Sequence, residues 1–195
     1  MRRLVLPALL TAAALSGCRN PSPAVVFHTL TPTAPPTTEK QAWALEIMPV
    51  QLPELLQRSP IVLQTGAGSH RLSGTHRWGN TLEKDMQRVL AENLSALLGT
   101  SSVVPYPHGD SVKAAFRVSL DVSRCDGEPG GTLRFRGTWM IQKSGTGELA
   151  ALRKTILDEP VGTEGMQDLV AAHDRILEKL SLEMASELRT LMQKP

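Results

Sequence analysis

The chain has 195 residues with 21 Lys and Arg against 19 Asp and Glu, two cysteines and a formal charge of +2. That is enough chain for one folded domain with a real core, and the charge is too small to hold nucleic acid without specific contacts. The low cysteine count excludes a disulfide-stapled scaffold.

Arg2 and Arg3 precede an apolar run, Leu4 to Leu15, broken only by Pro7 and Thr11. The run falls short of the roughly 20 apolar residues needed to span a bilayer, but it has the length of a signal-peptide core. It ends in Leu15-Ser16-Gly17-Cys18, which resembles the lipobox of bacterial lipoproteins: an aliphatic residue, two small ones and a cysteine. Residues 1–17 therefore read as an export signal cleaved between Gly17 and Cys18, whose thiol takes the lipid and whose acyl chains, palmitate among them, anchor the protein. Position 19 is Arg rather than the Asp that resembles an inner-membrane retention signal, which favours the periplasmic face of the outer membrane. Cleavage removes Arg2 and Arg3 and leaves 19 basic against 19 acidic residues, a neutral mature chain. Cys125 then has no intrachain partner. It reads as a free thiol, with pairing between chains the other option.

Residues 18–40 carry the lipidated cysteine and a Pro- and Thr-rich stretch with Pro21, Pro23, Pro32, Pro35 and Pro36, the composition of an extended tether. Within it, Val25 to Leu30 is an apolar island that either adds a short edge strand to the domain or is plain linker.

Residues 41–195 read as a single domain. The spacing predicts a strand over Ala42–Val50, a helical turn at Leu52–Arg58, and a hairpin of Ile61–Thr65 and Arg71–His76 around Gly66-Ala67-Gly68. Leu82, Met86, Val89, Leu90, Leu94, Leu97 and Leu98 recur at helical spacing, so Asn80–Leu98 is a helix stopped by Gly99. A short strand over Ser101–Pro105 precedes a long one in which Val112, Ala114, Phe116, Val118, Leu120 and Val122 alternate with polar residues. Leu133–Gln142 and Leu149–Asp158 complete a meander. The last helix runs from about Glu164 to Met192, with Leu169, His173, Ile176, Leu177, Leu180, Met184, Leu188 and Leu191 as its stripe. The expected class is α+β: a mostly antiparallel sheet with two main helices packed on one face.

No constellation for chemistry emerges. His28, His70, His76, His108 and His173 are scattered, and no cysteine or acidic cluster converges on them at metal-ligand spacing. Asp126 beside Cys125 would raise the thiol pKa rather than activate it. The Gly66–Gly68 loop lacks the lysine and the spacing of a phosphate loop, and no Gly-x-Ser-x-Gly elbow is present. Neither a catalytic residue, nor a metal, nor a cofactor is expected. Arg134 and Arg136 on one strand, with Lys113 and Arg117 opposite, form a candidate basic stripe, either a solvated face or a contact for headgroups or an acidic partner.

Several segments together resemble the PqiC family of ABC-type transport auxiliary lipoproteins. After the lipobox, Phe27-His28-Thr29-Leu30 is similar to the family's short aromatic-x-x-Leu segment. Val50-Gln51-Leu52-Pro53-Glu54-Leu55-Leu56-Gln57-Arg58-Ser59-Pro60-Ile61-Val62 is similar to a segment with a Pro, a Tyr-Leu pair and an Arg-Pro, although Leu55 stands where Tyr is usual and Ser59 is inserted before Pro60. Arg77-Trp78, Leu82, Val89-Leu90 and Asn93-Leu94, then Trp139 and the long last helix, complete the likeness. The resemblance implies a non-enzymatic role in moving lipids between membranes. The protein would act beside an MCE-domain (mammalian cell entry) protein and its membrane permease and receive or dock the outer end of the MCE protein, with Phe27, Leu30, Arg134 and Arg136 as candidate interface residues. A homo-oligomer through an exposed sheet edge or the Arg134/Arg136 face is a further expectation. The competing reading is a structural lipoprotein that assembles a secretion or pilus machine without handling lipid.

Overall fold

The computed structural model describes residues 23–108 and 112–193; the proposed signal, Cys18 and the first residues after it lie outside these bounds. Eight strands and two long helices follow in the order β1 (Val26–His28), β2 (Ala44–Ile47), β3 (Pro60–Gly66), β4 (Ser69–Trp78), α1 (Leu82–Leu98), β5 (Ser102–Pro105), β6 (Phe116–Asp126), β7 (Thr132–Lys143), β8 (Leu149–Pro160) and α2 (Met166–Met192). A 3-10 turn, Glu54–Gln57, precedes β3.

The strands form a five-stranded sheet, β5-β2-β6-β7-β8, and a three-stranded sheet, β1-β4-β3. The α+β class and the two helices on one face are as the periodicities predict. The sheets are mixed rather than strictly antiparallel, because β2 runs parallel to both β5 and β6, and β1 runs parallel to β4. Only the hairpin β3-β4 and the meander β6-β7-β8 are antiparallel. A chain that leaves β2 for the hairpin and α1 before returning as β5 makes a crossover, and crossovers give parallel neighbours.

Strict alternation makes β7 a two-faced strand. Leu133, Phe135, Trp139 and Ile141 are buried while Arg134, Arg136, Met140 and Gln142 are half-exposed. Gly137 continues the inner row because the Phe135 ring lies over it; a Cβ there would come within 2.8 Å of that ring. Opposite this face, α1 contributes Met86, Val89, Leu90 and Leu94, and α2 contributes Leu169, Ile176, Leu177, Leu180, Met184 and Leu188, all at most 1% exposed. One contiguous core results. The alternation that begins at Val112 overshoots the strand, which starts at Phe116, four residues later.

Candidate functional site

The predicted tether is not free over most of its length. After β1 pairs with β4 through Val26–His76, Phe27–Arg77 and His28–Trp78, the chain runs as a strap over α1 and α2 as far as Gln41. Leu30 is inserted into the core at 2% exposure, whereas Phe27 stays 64% exposed. Pro32, Pro35 and Pro36 have no N–H to satisfy, and the N–H groups between them are all accepted by the domain. Leu30 N donates to Asp85 Oδ2 at 2.9 Å and Thr31 N to Asp174 Oδ1 at 2.9 Å. Thr33 N and Ala34 N both donate to Asn93 Oδ1 at 3.1 Å, and Thr37 N donates to Ala96 O. Arg88 closes the clamp from the other side, donating through Nη2 to Leu30 O and to Asp85. Gly99 serves twice here: it caps α1 with a left-handed φ of 65°, and a Cβ on it would strike Glu39 O.

The clamp carries unusual electrostatics. Burial pushes the Asp174 carboxyl up to about 6, with nearby Asp85 adding to the effect, although the Thr31 amide opposes it. Its neighbour His173, packed edge-on against Trp78, is pushed down to about 4 by burial, and its Nδ1–H donates to Leu169 O at 2.8 Å. His173 is thus a core histidine, neutral at physiological pH.

A cavity of about 300 Å³ lies where the β3-β4 hairpin meets the end of β6, lined by Pro53, Leu55, Leu56, Gly68, His70 and Ser123 to Asp126. His70 Nε2 contacts Asp126 Oδ2 at 2.5 Å, and Arg124 Nε donates to Asp126 Oδ1 at 2.6 Å. Burial alone would raise the Asp126 carboxyl, but hydrogen bonds from Arg124 and His70 hold it below its ordinary value. One acid, Asp126, 56 positions away, thus meets His70 without forming a cluster. The histidines are also less scattered than expected, since His28 Nε2 and His76 Nδ1 lie 2.8 Å apart.

Neither of the two neighbouring candidate nucleophiles is arranged for this His-Asp pair to activate. Cys125 is buried and its thiol is pushed up to about 12, by burial first and by Asp126 second. The Ser123 hydroxyl donates to Arg136 O instead of to an imidazole. Among the described residues, no group of three His, Cys, Asp or Glu is placed to hold a metal ion. The pair instead pins the hairpin to the larger sheet, beside the bond from Gln64 N to Gly127 O.

Arg134 and Arg136 do share the outer side of β7, but the basic stripe dissolves into separate pairings. Arg134 donates to Gln64 Oε1 and Arg136 to Asp158 Oδ1, while Arg117 is bound to Glu46 and Lys113 precedes the strand. The outer surface beside them is apolar, which sequence reading missed. On the edge strand β8 the usual amphipathicity is reversed. Thr155 and Glu159 face inward, buried and bonded to Glu183, Arg175 and Lys179 of α2. Leu149, Leu152 and Ile156 face out, at 51%, 51% and 59% exposure. Met140 lies opposite Leu152, and Arg136 opposite Ile156.

Comparison with known proteins agrees with this architecture. The fold is similar to the crystal structure of protein XCC0632 from Xanthomonas campestris (TM-score 0.73, 12% identity, 87% of this chain and 98% of that one). It is also similar to the crystal structure of an uncharacterized protein (TM-score 0.70, 20% identity, 85% and 99%). A looser likeness, TM-score 0.46 at 13% identity over 73% and 90% of the two chains, is to the PelC dodecamer from Paraburkholderia phytofirmans. No curated protein matches the chain by sequence. Residues 27–185, from β1 through most of α2, match the family of ABC-type transport auxiliary lipoprotein components, and the chain belongs to that family.

Proposed function

We propose that the protein is a non-enzymatic auxiliary component of an MCE/ABC-type lipid transport system, held at the periplasmic face of the outer membrane through acylated Cys18. Its task is to dock the periplasm-spanning MCE-domain protein. Family membership supports an auxiliary role beside an ABC-type transporter. The observation that carries the docking reading is the reversed edge strand. A 12-residue β8 presents Leu149, Leu152 and Ile156 to solvent while it buries Thr155 and Glu159. A long apolar edge with unpaired backbone groups is a liability unless a partner covers it. Lys154 interrupts the row, and the Arg136–Asp158 pair flanks it, so an apolar centre sits among charges as in a protein interface.

The test is affinity capture of the tagged full chain from crosslinked membranes. The expected result is an MCE-domain protein among the captured partners, lost when Leu152→Asp and Ile156→Asp are combined and kept when Leu182→Asp is made on α2. Capture of a secretin or pilus component instead, or of nothing but further copies of this chain, would overturn the reading.

A further inference from the structure

We infer that the three-stranded sheet is the face of this protein that lies against the lipid surface, with the edge strand β1 in contact with headgroups. The inference rests on the anchoring reading and adds an orientation to it. With β1 and the strap bound to the domain, the chain between Cys18 and β1 is only residues 19–25. Fully extended, seven residues reach about 25 Å at ~3.5 Å each. A free tether up to Lys40 would reach about three times as far and would let the domain present any side. The clamp shortens that reach: β1 is the described element nearest the anchor along the chain, which favours its side of the domain facing the lipid.

What β1 and its sheet expose fits that position. Val25, Val26 and Phe27 are all exposed, and Leu72 on β4 and Leu55 beside the hairpin are exposed too. Half of the large exposed apolar side chains of the described residues thus belong to β1, β4 and the segments flanking this sheet. Strands β1, β3 and β4 contain no Asp or Glu, but they carry Arg71 and Arg77, with Arg58 leading into β3. Arg77 is the direct cross-strand neighbour of Phe27. The acidic residues nearby are Glu54, in the 3-10 turn, Glu128, which lines a cavity with Gln64 and Gly66, Asp85, engaged by Arg88 and the Leu30 amide, and Asp126, engaged by His70 and Arg124. Exposed apolar side chains beside unopposed arginines suit an interface of acyl chains and anionic headgroups. The β8 face, which carries Asp158 and Glu148 among its charges, has a mixed character and suits a protein.

The experiment uses the full acylated chain reconstituted into vesicles of phosphatidylethanolamine and phosphatidylglycerol at about 3:1, with a spin label at Phe27→Cys, Val26→Cys or Leu152→Cys. Vesicles are floated first, and the label's collision rates with oxygen and with a water-soluble nickel chelate are read on the floated fraction. At positions 26 and 27 oxygen collisions are expected to exceed those with nickel severalfold, with the reverse at position 152. Replacing phosphatidylglycerol by phosphatidylcholine, or combining Arg71→Glu with Arg77→Glu, should move the 26 and 27 labels toward water. A floated protein whose labels at 26 and 27 are as water-exposed as that at 152 overturns the orientation and leaves the anchor reading intact. Immersion that ignores both charge changes overturns the electrostatic basis of the proposal. A chain that does not float at all removes the anchor reading, and the inference with it.

Discussion

Trp139→Ala is expected to cost about 3–5 kcal/mol of stability, the range for deleting a buried aromatic side chain. Trp139 is 2% exposed at the middle of β7, and the loss of its ring would open a cavity between the five-stranded sheet and α2. The cost is not only volume. The indole Nε1 donates to Thr155 Oγ1 at 3.0 Å, and that hydroxyl donates in turn to Glu183 Oε2 at 2.6 Å. This relay ties β7 through β8 to α2, and truncation would leave a buried hydroxyl with one partner fewer. Trp139→Phe, which keeps most of the ring but not the donor, should cost distinctly less. Chemical denaturation of the two variants separates packing from hydrogen bonding. A melt of the alanine variant that overlays the parent would show that the tryptophan is not part of the core.

The strap offers the second large effect. Asn93 is fully buried in α1, and its single Oδ1 accepts both Thr33 N and Ala34 N. Asn93→Ala leaves two strap amides without a partner, at about 1–3 kcal/mol for each one that stays buried. Part of that penalty is avoided if the strap lifts into water. The expected outcome is therefore a loss of about 2–4 kcal/mol in a melt, with amide exchange at residues 30, 31, 33 and 34 rising together. Leu30→Ala should act in the same direction by emptying its core site. Exchange that stays slow in the Asn93 variant would mean that the strap is held by something other than this clamp.

Those two sites mark what could and could not be read in the sequence. Trp139 was legible, because β7 alternates without interruption from Leu133 to Ile141 and its inner row is the row that packs. Helix α1 was legible as well: Leu82 to Leu98 carries an apolar stripe, and Gly99 supplies the left-handed cap. The strap was not. Its prolines and threonines have the composition of a linker, and the groups that hold it, Asp85, Asn93 and Asp174, lie between 55 and 143 positions away. The one signal was in the helices: three acidic or amide side chains at or beside apolar stripes, which are costly there unless something donates to them. The aromatic-x-x-Leu resemblance of Phe27 to Leu30 also becomes physical at this point. Leu30 is the anchor in the core, and Phe27 is left on the surface.

The parallel strands were hidden for a related reason. Alternation reports which face of a strand is buried but not the direction of its neighbour, so β2 between β5 and β6 could not be oriented from its four residues. The His70–Asp126 pair was invisible because nothing local joins a hairpin tip to the end of a strand 56 positions later. The reversed amphipathicity of β8 was in the sequence all along. Leu152 and Ile156 alternate with Arg153 and Thr155, but the alternation does not say which set faces the core.

A short chain running from a lipidated cysteine into a clamped strap underlies both the docking and the orientation, so the most direct measurement is the mass of the mature N-terminal peptide. The protein should be isolated from membranes and digested, and the peptide ending at Lys40 weighed by mass spectrometry. The anchoring reading requires a peptide that begins at Cys18 and carries a diacylglyceryl group and an amide-linked acyl chain, and that is absent in Cys18→Ala. An N-terminus at Met1, or at any residue after Cys18, without added lipid would contradict it.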